Sequence, residues 1–268
     1  MQAVLLLCAL SLVVPARSKA NPARPQPVRA PTPKITTGRP SAFTTESWPP
    51  LPTPVETETL TSTGSPPPPY WSDPRIHNLG NAGILGGLHA AVAPLFTHLI
   101  DRVAYKGVDA RAQIHKTIAP DLRVVDLCCG TAFSATKGAT GVDTSAQMLA
   151  MARLHRPDAI FVQGNAETWG EDAAFDVATV MYGMHEMPRG ARRKVLHNAM
   201  RIARKYVLIV DIDPSFCPSA MMLSGEPFIE EYLRNIDEDV QEAAAHRAWR
   251  KARIEVVPGH VVMWRLDL

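Results

Sequence analysis

Asp126 and Asp143 each stand at the end of a short apolar stretch, Leu122–Leu127 and Gly141-Val142-Asp143, seventeen residues apart. The turn after the first reads Cys128-Cys129-Gly130-Thr131-Ala132-Phe133-Ser134. Small residues directly after a strand let a ligand approach the backbone closely. A brief helix is expected between Gly130 and Gly141, and its free amides and positive dipole end would face such a ligand. Asp126 can accept hydrogen bonds from an ammonium group or an ordered water. A carboxylate placed as Asp143 can take both hydroxyls of a ribose. Two acids this close would repel a pyrophosphate. The pattern therefore implies a nucleoside with an unphosphorylated, partly cationic arm.

A second group of reactive types is Tyr182-Gly183-Met184-His185-Glu186-Met187-Pro188, after the apolar run Phe175–Met181. His185 either deprotonates an acceptor hydroxyl, since imidazole titrates near neutrality, or is a structural histidine satisfied by backbone. Tyr182 either packs or lines a cofactor, and Glu186 reads as solvated. His185-Glu186 begins like a zinc-protease helix, but Arg189 stands where the second histidine is required. Cys128 and Cys129 are adjacent and lack a Cys-x-x-Cys partner, so they read as small loop fillers with no metal expected. The turn after the first strand has no Gly-x-Gly-x-x-Gly, and Lys137 lacks the preceding glycine of a phosphate-binding loop.

The elements that must hold these residues alternate. Apolar strands are expected at Leu122–Leu127, Gly141–Asp143, Ala159–Gln163, Phe175–Met181 and Tyr206–Ile212, with helices between them. Thr144-Ser145-Ala146-Gln147 has capping-box spacing, with Thr144 as the cap. Pro188 suits a first helical turn. Such alternation implies a parallel sheet covered on both faces. A long amphipathic helix over about Phe228–Trp249 precedes two strands, Arg253–Val257 and Val261–Leu268, joined by Pro258-Gly259; strands so close pair antiparallel. The acids on that helix and the basic cluster Arg189, Arg192, Arg193 and Lys194 read as solvated faces. Upstream, helices are expected over about Leu88–Ala104, with Pro94 as a kink, and over Asp109–Ile118.

Several of these segments together resemble the class I S-adenosylmethionine-dependent methyltransferases, over about residues 90–268. Asp126-Leu127-Cys128-Cys129-Gly130-Thr131-Ala132 is similar to that family's glycine-rich first motif, with Cys128 and Ala132 where glycine is usual. Gly141-Val142-Asp143-Thr144-Ser145 resembles its second-strand motif, and Gly164-Asn165-Ala166-Glu167 its adenine-contacting element, with Asn165 in place of aspartate. The resemblance implies an α/β, three-layer Rossmann-like sandwich. Its mostly parallel seven-stranded sheet would run in order 3-2-1-4-5-7-6 with a C-terminal antiparallel hairpin. It also implies S-adenosyl-L-methionine as cofactor, contacted by Asp126, Cys128, Gly130, Thr131, Asp143, Thr144, Asn165, Ala166 and Tyr182, and a small-molecule or lipid-like methyl acceptor. The Asn/Asp-Pro-Pro-Tyr motif of enzymes acting on DNA adenine or glutamine is absent after the fourth strand. Two other readings are a cofactor-binding module of the same fold without catalysis, and an NAD(P)-dependent oxidoreductase.

The chain has 268 residues, 46% of them apolar, with 28 basic and 26 acidic side chains. The net charge of +2 gives no electrostatic case for nucleic acid, and four cysteines exclude a disulfide scaffold. Sixteen of the 24 prolines fall in residues 1–75. Ala3–Val14 is apolar but too short to span a bilayer comfortably; with Pro15 and Ser18-Lys19-Ala20 it resembles a signal peptide over residues 1–20. Residues 21–75 are rich in Pro, Thr and Ser and read as a disordered linker or a transit segment. The implied destination is the secretory route, secreted or endomembrane, or a plastid. The folded unit is expected from residue 76, with a helical cap over 76–118 and the core over 119–268. Gly80–Gly87 reads as a substrate lid or a packed turn.

Overall fold

The computed structural model describes residues 68–73, 75–76 and 83–268. The signal-like run, the tract from residue 21 to 67 and the start of the glycine-rich stretch (80–82) lie outside the described residues.

Seven strands form one sheet in order β3-β2-β1-β4-β5-β7-β6. They are β1 (Val124–Leu127), β2 (Thr140–Asp143), β3 (Ile160–Gln163), β4 (Phe175–Met181), β5 (Ala203–Ile212), β6 (Arg250–Val257) and β7 (Val261–Asp267). The first five pair in parallel. β7 is antiparallel to both β5 and β6. This is the three-layer architecture, sheet order and closing hairpin expected from the sequence. β1 is buried at every position and β4 at nearly every one, which is why they read as continuous apolar runs rather than alternating ones. The edge strand β6 exposes Arg250, Lys251 and Arg253, charges that discourage pairing with another chain.

Helices cover both faces. α1 (Gly83–Val103) bends by 43° between Ala93 and Thr97, around Pro94. α2 (Ala110–His115) starts at Asp109, whose carboxylate accepts from the Ala112 N–H at 2.8 Å. α3 (Ala146–His155) is capped by Ser145, which accepts from the Met148 N–H at 3.2 Å, so the expected cap at Thr144 is corrected by one residue. α4 (Arg189–Ile202), α5 (Ala220–Gly225) and α6 (Ile229–His246) follow. One core packs Val195, Leu196, Tyr232, Ile236 and Val240 of α4 and α6 against Leu127, Ile209 and Trp264. A second packs Ala110 and Ile114 of α2, with Tyr105, against Val177, Leu208 and Met263, and a third, smaller one joins Ala132 to Leu149 and Phe161. Among the described residues no single helix is long and apolar enough to cross a membrane.

Three expectations need correction. No helix forms between β1 and β2; turns, a bend and irregular backbone make up that crossover. Neighbouring side chains take over its backbone carbonyls: His115 Nε2 lies 2.8 Å from the Ser134 oxygen and His155 Nδ1 3.1 Å from that of Thr131, and Arg156 donates to that of Ala135. The charged faces of α4 and α6 are not simply solvated. Arg192 and Asp239 are fully buried and meet at 3.0 Å, and Arg189 adds a 2.7 Å bond to the same carboxylate. Finally, the compact unit reaches back to Pro68, ahead of the expected boundary at residue 76. Tyr70–Ser72 form a 3-10 turn, and Tyr70 packs on the first core.

Candidate functional site

All five parallel strands point the same way, so the turns leaving β1 to β4 gather at one edge of the sheet. A cleft there encloses about 700 Å³ out to its open mouth. Cys128 and Gly130 line it from the turn after β1. Asp143, Thr144 and Met148 do so from the end of β2 and the start of α3. Gly164, Asn165 and Ala166 follow β3, and Gly183, Glu186 and Met187 follow β4. The remaining wall comes from Tyr70, Trp71 and Ile76.

The turn after β1 is tight. Cys128, Gly130 and Ala132 all adopt left-handed backbone, with φ of 59°, 52° and 60°. Two of these are the positions where the resemblance leads one to expect glycine. A side chain there costs about 1 kcal/mol or more. At Gly183 an added Cβ would stand 3.0 Å from that of Cys128, so the turns after β1 and β4 nearly touch.

Asp143 ties two turns together. One carboxylate oxygen accepts the Gly130 N–H at 2.9 Å and the other the Ser145 N–H at 2.8 Å. Each oxygen keeps a second lone pair for a ligand hydroxyl. Burial raises its pKa to about 6, against the lowering effect of those N–H bonds. Asn165 accepts the Glu167 N–H at 2.9 Å through its side-chain oxygen, leaving the amide nitrogen as its possible donor to a ligand. The Ala166 carbonyl is fixed by Asn198 Nδ2 at 2.8 Å.

Other residues singled out in the sequence lie off the cleft. Asp126 is buried beneath it; Thr179 donates to one oxygen at 2.6 Å, and the other has no partner. Burial lifts its pKa to about 7, the Thr179 hydroxyl opposing and Asp143 adding to the rise. Thr131 is buried, with its carbonyl turned to His155. Tyr182 sits under the Arg111 guanidinium, 4.5 Å from its ring centre, away from the lining.

His185 is buried, with Nδ1 2.6 Å from Asp211 Oδ1, while Asp211 Oδ2 accepts the Met184 and His185 N–H groups at 2.8 and 3.2 Å. Burial works to lower its pKa. The Asp211 charge and hydrogen bond, with Glu226 and Glu186, outweigh this and push it up to about 9. His185 lies off the lining, and its Nδ1 is engaged by Asp211. Among the described residues no cluster of three or more His, Cys, Asp or Glu side chains is set to hold a metal.

Sequence reasoning missed Tyr70, Trp71, Met148 and Met187 as lining residues. The available signal was the adjacent aromatic pair ending a proline tract with few other rings.

Residues 124–206 match the family model described as a methyltransferase domain. Over those residues the chain is similar to a methyltransferase domain, and the sheet order is the one expected of the class I methyltransferase fold. The chain is 32% identical over 120 residues to an uncharacterized methyltransferase of Synechocystis sp., a match over 40% of this chain and 56% of that protein. The match thus spans little more than half the length of that curated relative. Among solved structures, a methyltransferase of Aquifex aeolicus is similar at 15% identity and a TM-score of 0.46, over 59% of this chain and 89% of that one. A TehB-like methyltransferase of Corynebacterium glutamicum is similar at 16% and 0.47, over 66% and 98%.

Proposed function

We propose that this chain is an S-adenosyl-L-methionine-dependent methyltransferase that acts on a small-molecule or lipid-like acceptor. The observation that carries the reading is the Asp143 carboxylate, joined to the Gly130 turn and facing a cleft built by four strand-end turns. The residues present fit the cofactor. Asp143 has lone pairs left for two ribose hydroxyls, Asn165 and Ala166 flank a place for a base, and the side-chain-free Gly130 admits close approach. The Asp126 oxygen without a partner lies beneath the cleft, where it suits an ammonium group reached through water. When bound, the sulfonium supplies an electrophilic methyl group.

The chain's contribution is alignment. Holding donor and acceptor in line accounts for much of the acceleration such a transfer needs. A general base is needed only for an acceptor that arrives protonated, and Glu186 is the acid nearest that task by its place on the lining. Ile76, Met148 and Met187 support an acceptor with apolar surface. Transfer of labelled methyl from S-adenosyl-L-methionine to a panel of quinones, phenols, amines and lipids tests the reading. Turnover that is lost in Asp143→Ala supports it, and retention of full turnover in that variant contradicts it.

A second reading, a binding module without turnover, is favoured by the missing helix after β1; it predicts cofactor binding with no transfer across the same panel. The leader is proposed to direct the chain into the secretory route or onward to a plastid, on the strength of the apolar run Ala3–Val14 and the basic, acid-poor tract that follows. A fluorescent fusion with and without residues 1–20 tests this; identical distribution contradicts it.

A further inference from the structure

We infer that Tyr70 and Trp71 are ligand-binding residues that recognise the purine ring of the nucleoside; the inference rests on the reading above. The strand-end turns supply the cleft with backbone, acids, small side chains and methionines. Among the described lining residues, Tyr70 and Trp71 supply the only aromatic faces. The pair is built into the fold. The two rings meet edge to face with centres 5.0 Å apart, and Tyr70 meets Phe228 in the same way at 6.4 Å. Tyr70 lines the cleft together with Gly164, Asn165 and Ala166 of the turn after β3, and the neighbouring Glu167 carboxylate adds to burial in raising its hydroxyl pKa. Ile76, 1% exposed, anchors the far end of the segment. Trp71 is only half-buried, so part of its surface stays available to a ligand.

A planar base gains from stacking on such a face without any further hydrogen bond, an effect worth roughly tenfold in affinity or more. The turn after β3 would then read the base edge, and the aromatic pair its face.

The test is calorimetric titration of the full chain with S-adenosylhomocysteine and with 5′-methylthioadenosine, which shares the adenosine and lacks the amino-acid arm. Trp71→Ala is expected to weaken both by about tenfold or more, and Trp71→Phe to restore most of the loss. In wild type, the emission lost in Trp71→Phe should be quenched by 5′-methylthioadenosine, a readout that holds even where Trp71→Ala fails to fold. Unchanged affinities in Trp71→Ala, a loss confined to S-adenosylhomocysteine, or no quench would overturn the inference while leaving the cofactor reading intact. No binding of S-adenosylhomocysteine by wild type would overturn both.

Discussion

At Ala132 and Cys128 the backbone adopts a conformation that suits glycine, yet the chain places a side chain at each. The strain is tolerated because flanking elements hold the turn. Ala132→Gly removes a methyl group and relieves the left-handed strain, so it is expected to stabilise the fold by about 0.5–1 kcal/mol, read as a rise in the urea midpoint; a fall would contradict the strain. His185 makes a pH prediction. Its folded pKa, about 9, lies above the ordinary 6.5. A raised value means the stabilising contribution is complete below pH 6.5 and is lost as pH rises through about 9. The loss is on the order of 3 kcal/mol. Denaturation at pH 6.5 and 9.5 should show this slope in wild type and not in His185→Asn; equal slopes would remove His185–Asp211 from the account. The sequence made His185 visible because it follows β4. It could not show Asp211, whose partnership depends on the register that sets β5 beside β4.

Among elements, α4 and α6 depend on a buried ion pair. Removing Asp239 leaves Arg192 buried and uncompensated. Asp239→Ala is therefore expected to cost about 3–5 kcal/mol, while Arg192→Met combined with Asp239→Leu should recover most of it. Thermal denaturation checks both, and a mild effect of Asp239→Ala alone would contradict the pairing. The inner strands β1, β4 and β5 were legible to within a few residues because burial on both faces writes them as apolar runs. The hairpin was legible from Pro258-Gly259 between two strand-like segments, Arg253–Val257 and Val261–Leu268. The cap moved from Thr144 to Ser145 because neighbouring hydroxyls compete and the helix start decides between them. The absent helix after β1 was not legible. Its replacements, His115, His155 and Arg156, come from other parts of the chain and only tertiary structure brings them to that turn. The ion pair escaped for the same reason, since two charged helix faces look alike whether they meet solvent or each other.

Across the molecule, one acid at the end of β2 connects the turn after β1, the start of α3 and the cleft. Its neighbours on the cleft were largely legible: Cys128, Gly130, Asp143, Thr144, Asn165 and Ala166 all line it, as local motifs after strands should. Tyr70 and Trp71 were hidden because they come from sequence that reads as unstructured and reach the site only by folding back over the sheet edge. The most direct measurement is the affinity of the full chain for S-adenosyl-L-methionine by calorimetry, in wild type and in Asp143→Ala. The account predicts one site per chain, weakened at least about tenfold by the loss of two ribose hydrogen bonds. Undetectable binding by wild type, or equal binding by the variant, would contradict it.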